Sequence, residues 1–89
     1  MHEHSESEQH DLRALGRAIH DLREQHGVSA GELAARCRIT LAEIHELEAG
    51  LIDPTYDLLM QIAEAIGTRL TVIITRSEKL RQEDETQGR

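Results

Sequence analysis

Aromatic side chains are almost missing from this sequence: Tyr56 stands alone, with no Trp and no Phe. Any interior it builds must therefore be aliphatic. Proline occurs once, at Pro54, and cysteine once, at Cys37. A single cysteine excludes an internal disulfide and fits a reducing cytoplasm. No apolar run approaches the roughly 18 residues of a membrane-crossing helix, so no membrane partner is expected. The polar, acidic start MHEHSESEQHD does not have the pattern of a signal peptide. Positive charge is also short: 10 Lys and Arg stand against 17 Asp and Glu, a net charge of −7. That balance counts against nucleic acid as a partner, because phosphate contacts need cations. The deficit is uneven, however. Residues 1–11 carry four acids and no Lys or Arg, residues 77–89 four acids and three bases, and residues 12–76 nine acids and seven bases. Most of the excess lies at the two ends.

What is present is helical periodicity in a chain of 89 residues, the size of one small domain. Residues 1–11 lack an apolar period and are expected to be a disordered acidic tail. His2, His4 and His10 are read there as solvated side chains, since no Cys or fixed geometry supports a metal site. Leu12, Leu15, Ile19 and Leu22 then follow one helical face, and Gly27 ends the run. Ser29 with Glu32 forms a capping box, in which each residue's side chain bonds the other's backbone N–H, and Thr40 with Glu43 forms a second. Leu33, Ala34 and Cys37 face inward from the first of these helices, Ile44 and Leu47 from the second. Only Arg38-Ile39 separates them, so the two read as a helix-turn-helix pair. Thr55, after Pro54, caps a fourth helix with an apolar stripe of Leu58, Leu59, Ile62, Ala63 and Ile66, closed by Gly67.

The period then changes. Leu70, Val72 and Ile74 alternate with Thr71, Ile73 and Thr75, which predicts a β-strand over residues 68–76; the alternative is a fifth helix or a bare tail over 69–76, which the consecutive β-branched residues Val72-Ile73-Ile74 disfavour as helix. A lone strand leaves both edges unpaired, and pairing with the same strand of a second chain is the simplest remedy. Leu70, Val72 and Ile74 would form the inner face of that homodimer interface, with Ile73 on the outer side. Residues 77–89 are expected to be a polar tail, as frayed helix or disorder.

The pieces Leu15–Glu24, Ser29–Ala34, Ile44–Gly50 with Pro54, and Leu58–Gly67 resemble, in that order, the motifs of the Cro and phage-repressor (XRE) family. The resemblance covers residues 12–67. It implies an all-α, compact, phage-repressor-like domain of four to five helices, here with the short C-terminal strand added, and a function in sequence-specific duplex DNA binding as a transcriptional regulator. It implies a third helix lying in the major groove. Leu41, Ala42 and Glu46 map to base-reading positions; Ser29, Ala30 and Thr40 map to phosphate-contact positions. Glu48 matches a position that pairs with an arginine of the first helix, here Arg23. The paired C-terminal strand resembles that of antitoxin-type members. A homodimer on a palindromic operator follows from these features.

The residues departing from the family pattern shape the rest. The third helix holds Glu43, Glu46 and Glu48 and no Lys or Arg. Glutamate can accept a hydrogen bond from cytosine N4, and Leu41 and Ala42 can touch thymine methyls. His45 lies on the same exposed side. Arg17, Arg36 and Arg38 are the nearest cations for phosphate, a small number that favours two copies acting together. The rival reading is a protein-interaction module of the same fold that has lost DNA binding; the acidic third helix and the Leu51-Ile52 pair support it. An enzyme is not expected: Cys37 falls on an apolar face, no phosphate loop or paired-carboxylate cleft is present, and no cofactor or metal is called for.

Overall fold

The computed structural model of the chain describes residues 6–87, with side chains over 11–84. Five helices follow one another: α1 (Glu6–Gln25), α2 (Ala30–Cys37), α3 (Leu41–Glu48), α4 (Tyr56–Ile66) and α5 (Leu70–Gln87). Every helix sends at least one fully buried aliphatic side chain to a common centre. These are Ile19 from α1, Leu33 from α2, Ile44 and Leu47 from α3, Ile62 from α4 and Ile73 from α5. Each such side chain contributes about 1.5–3 kcal/mol by leaving water. With aromatics absent from the interior, small residues fill the gaps, and Ala18, Ala34 and Ala63 are buried among the larger ones.

Helix α1 begins at Glu6, inside the segment expected to be a disordered tail. Residues 1–5 lie outside the described residues, as do the side chain of His10 and the proposed solvation of His2 and His4. Among the described residues, no single helix is long and apolar enough to cross a membrane.

The C-terminal strand is not there. Residues 70–87 form α5, so the strand over 68–76 and the edge-to-edge pairing read from it are corrected, and the polar residues from 77 onward continue the same helix as far as Gln87. The inward face is also inverted. Ile73 is fully buried, whereas Val72 is 43% and Ile74 39% exposed, and Leu70 is only half-buried. The β-branched run Val72-Ile73-Ile74 carries a helical penalty of at most about 0.7 kcal/mol per residue. Burial of Ile73 alone outweighs much of that. Leu70 and Leu80 pack beside it on the core, completing an i, i+3, i+10 spacing that alternation over a short window conceals. Helix α5 lies along α1 in the opposite direction. Arg76 bonds Asp21 at 3.2 Å near one end of the pair, and Arg81 bonds Asp11 at 3.2 Å near the other.

Candidate nucleic-acid interface

The paired helices α2 and α3 are set by their caps. The Ser29 hydroxyl accepts from the Glu32 N–H at 3.0 Å, and the Glu32 carboxylate accepts from the Ser29 N–H at 2.9 Å. This bonding holds the Glu32 carboxyl below its ordinary value. Thr40 and Glu43 repeat the arrangement at 3.0 and 2.9 Å. The Thr40 hydroxyl also donates to the Glu43 carboxylate at 3.1 Å, so its proton is already engaged. Ser29 stays exposed, and Ala30 beside it is half-buried.

Between the helices the chain reverses at Arg38, whose φ of 58° is the single positive value outside glycine among the described residues. The Arg38 N–H bonds back to Ala35 at 3.3 Å and the Ile39 N–H to Ala34 at 3.0 Å, which closes α2 as a left-handed cap. A side chain in that region costs about 1–2 kcal/mol. Arg38→Gly is therefore expected to raise stability by about 1 kcal/mol, once the greater freedom of unfolded glycine is subtracted. Chemical denaturation checks this; an unchanged or lower midpoint would contradict it. The natural arginine is held there against local strain, with its guanidinium exposed.

On α3, Ile44 and Leu47 face the core, and Leu41, Ala42, His45 and Glu46 share the exposed side. The expected reading residues thus sit on one face. Of the expected phosphate anchors, Arg17 and Arg38 are exposed. Arg36 is different: its Nη1 donates to the Ala65 carbonyl at the end of α4 at 2.7 Å, and its Nη2 lies 3.8 Å from Glu32. It ties α2 to α4.

The structure brings Arg23 and Glu48 together across α1 and α3. Arg23 Nε donates to Glu48 Oε2 at 2.6 Å and Nη2 to Oε1 at 2.9 Å, a two-pronged contact. Arg23 Nη1 donates to the Val28 carbonyl at 3.0 Å, and Arg23 as a whole is only 8% exposed. His20 joins the same cluster, with Nδ1 3.0 Å from Glu48 and Nε2 3.3 Å from Glu24. Burial pushes the Glu48 carboxyl up, but the bonds from Arg23 and His20 outweigh it and hold the carboxyl below its ordinary value. The bond to Glu48 raises the Arg23 value in turn.

Two glycines let α3 lie against α1. A Cβ on Gly16 would stand 2.4 Å from the Leu47 carbonyl oxygen and 2.6 Å from that of Glu48. At Gly50, where φ is +77°, a Cβ would stand 2.7 Å from the Arg13 Cα. Arg13 is thereby placed under the α3–α4 connection, one helical turn before Arg17, with both side chains exposed. Sequence reasoning passed over Arg13; the i, i+4 spacing of the two arginines was the available signal. It also passed over His20 as a partner of Glu48.

Cys37 is buried, and burial pushes its thiol above the ordinary value, away from the thiolate a nucleophile needs. Among the described residues, no group of three or more His, Cys, Asp or Glu could hold a metal ion.

The family model described as a helix-turn-helix domain matches residues 14–72. The crystal structure of the clp gene regulator ClgR from Corynebacterium glutamicum aligns with a TM-score of 0.86 and 26% identity, over 88% of this chain and 83% of that one. A second crystal structure of the clp gene regulator ClgR from C. glutamicum gives 0.78 and 27%, over 80% of this chain and 91% of that one. None of the curated proteins matches this chain. With the matching residues spanning more than half of its length and centred on the α2–α3 pair, the chain belongs to the helix-turn-helix domain family.

Proposed function

We propose that this protein binds duplex DNA as a transcriptional regulator of the Cro and phage-repressor kind, with α3 in the major groove. The observation that carries the reading is the exposed face of α3. Leu41, Ala42, His45 and Glu46 lie together on it, behind a turn that keeps Arg38 in an unfavourable backbone conformation. The similarity to a gene regulator supports the same reading. Leu41 and Ala42 meet thymine methyls, and Glu46 accepts from cytosine N4. Ser29 and Ala30, at the start of α2, and Thr40 lie at the phosphate backbone; the Thr40 hydroxyl and N–H are both bonded to Glu43, so Thr40 meets a phosphate only by giving up its cap. Arg17 and Arg38 supply charge there.

So few cations give weak binding by one copy, and a homodimer on a palindromic operator supplies the rest. Its contact is made by α5, where Val72 and Ile74 leave apolar surface exposed. The mass in solution and on a selected duplex checks the stoichiometry.

Selection from a random duplex pool tests the reading, and enrichment of a defined site is expected. On that site, Arg17→Ala and Arg38→Ala should weaken binding to every duplex alike and reduce the salt slope by about one unit each. Glu46→Ala and Leu41→Ala should instead change which bases are preferred. Equal effects of all four on every duplex would contradict this division. One observation favours a second reading: Leu51 is 72% and Tyr56 67% exposed beside an acidic α3, as a protein-interaction module would have them. A pool without enrichment would favour that module.

A further inference from the structure

Four of the six large apolar side chains left exposed among the described residues fall between positions 41 and 60: Leu41, Leu51, Tyr56 and Met60. Leu41 belongs to the exposed side of α3. The other three lie on the connection after α3 and on the first turns of α4. Tyr56 and Met60 are one helical turn apart and share a face. Ile52, Leu58, Leu59 and Ile62 pack on the core, while Leu51, Tyr56 and Met60 among them stay in solvent. The backbone beneath is fixed. The Leu51 N–H bonds the Glu46 carbonyl at 2.9 Å, and the Thr55 hydroxyl accepts from the Leu58 N–H at 3.1 Å. Single exposed apolar residues are ordinary, but a group of them is not. This group includes the chain's only aromatic side chain, which the aliphatic core does not use.

The charge around it is of one sign. No Lys or Arg occurs from residue 39 to residue 68. Glu43 is committed to its cap and Glu48 to Arg23. Asp53 and Asp57 are exposed, next in sequence to Ile52 and Tyr56, and neither side chain has a partner among the described residues.

We propose that Leu51, Tyr56 and Met60, with Asp53 and Asp57 beside them, form a docking surface for a basic, amphipathic segment of another protein. A nucleic-acid backbone or an anionic lipid surface would meet like charge here. A polypeptide that carries Lys or Arg among apolar residues matches both features. Tyr and Met are side chains that anchor such contacts, and the flexible Met fits itself to the partner's shape. The two aspartates at the rim steer the segment and set its orientation. The surface does not use the reading residues of α3. Leu51 and Tyr56 thus gain a role that does not require DNA binding to be lost.

The probe is a fluorescein-labelled amphipathic helix of leucine and lysine, titrated with the full chain and followed by anisotropy. The same peptide with glutamate in place of lysine is the charge control. The lysine peptide is expected to bind and the glutamate peptide not to. Leu51→Ser/Tyr56→Ser/Met60→Ser should bind about tenfold more weakly than the parent. Asp53→Asn/Asp57→Asn should bind about threefold more weakly, with a flatter dependence on salt. Glu78→Gln/Glu83→Gln removes the same charge from exposed positions of α5 and should stay within about twofold of the parent. Circular dichroism verifies the fold of each variant. Absence of peptide binding, equal affinities of parent and triple variant, or equal losses in the two acid variants would overturn the proposal. The variants are also measured on the selected duplex. If no duplex is enriched yet peptide binding follows the surface, the docking stands and the DNA reading falls. If a duplex is enriched and peptide binding ignores the surface, the DNA reading stands and the docking falls.

Discussion

Gly16→Ala is expected to destabilise the domain by at least about 2 kcal/mol, opposite in sign to what helix propensity alone implies. Gly16 lies in the interior of α1, where alanine is favoured by about 1 kcal/mol. The added methyl, however, would sit 2.4 Å from one backbone oxygen, 2.6 Å from another and 2.8 Å from the Glu48 carbonyl carbon. These atoms belong to the last turn of α3, whose backbone is held by Leu47 in the core and by Glu48 in its ion pair. A flexible side chain could swing aside; a helix end fixed in this way must move as a body. Overpacking of this kind costs about 1–3 kcal/mol and occasionally more, and backbone contacts this short belong at the upper end. For a domain of this size each kcal/mol moves the melting temperature by about 4–8 °C, so a drop of roughly 10 °C or more is expected in thermal denaturation. The displaced α3 should also weaken duplex binding at temperatures where the variant is still folded. A melting temperature equal to or above that of the parent would show that α1 and α3 do not meet at Gly16.

The contrast between α3 and α5 shows how far the sequence can be read. Helix α3 was legible because its boundaries are written in local chemistry: Thr40 and Glu43 form the capping box seen in the structure, and Ile44 and Leu47 share one face. The cap works through bonds within four residues, so no distant element can overrule it. Helix α5 has no such cap, and its first turn is β-branched. Its conformation is decided by a partner: Ile73 is buried in the common core, against elements that lie far away in sequence. Alternation between residues 70 and 75 fits a strand and a helix equally until that partner is known, and the penalty for helix is smaller than the gain from burial. The same limit applies to the site. Spacing and family likeness point to the exposed residues of α3 and to Arg17 and Arg38. The commitment of Arg36 to the Ala65 carbonyl, and of the Thr40 hydroxyl to Glu43, depends on where side chains turn after folding. Arg13 gains its place only because Gly50 packs on its backbone, a contact that joins α1 to the connection after α3.

Removing the guanidinium that joins α1 to α3 is expected to cost about 3–5 kcal/mol, because it strands a buried carboxylate. In Arg23→Met, Glu48 loses the donors at 2.6 and 2.9 Å, and the Val28 carbonyl loses its donor at 3.0 Å. His20 remains within reach of Glu48 at 3.0 Å but cannot replace the two-pronged contact. The Glu48 side chain is only 10% exposed, so water does not make good the loss. Replacing both members, as in Arg23→Met/Glu48→Leu, removes the stranded charge and is expected to be less damaging than Arg23→Met alone. That ordering separates a paired charge from an ordinary packing defect, for which the double variant would be the worse of the two. The pH dependence carries the same signature. In the parent the folded-state Glu48 value is depressed, so its contribution is fully present above the unfolded carboxylate value of about 4.3 and is lost as pH falls through the lower folded value. In Arg23→Met the burial that already pushes the carboxyl up acts without its main opponent. The folded-state value then rises towards or past the unfolded one, and the variant should lose less stability between neutral pH and pH 3 than the parent does. Denaturation midpoints measured across that range decide the matter. Parallel pH profiles for parent and variant would mean that the Arg23–Glu48 bond does not hold the end of α3 to α1.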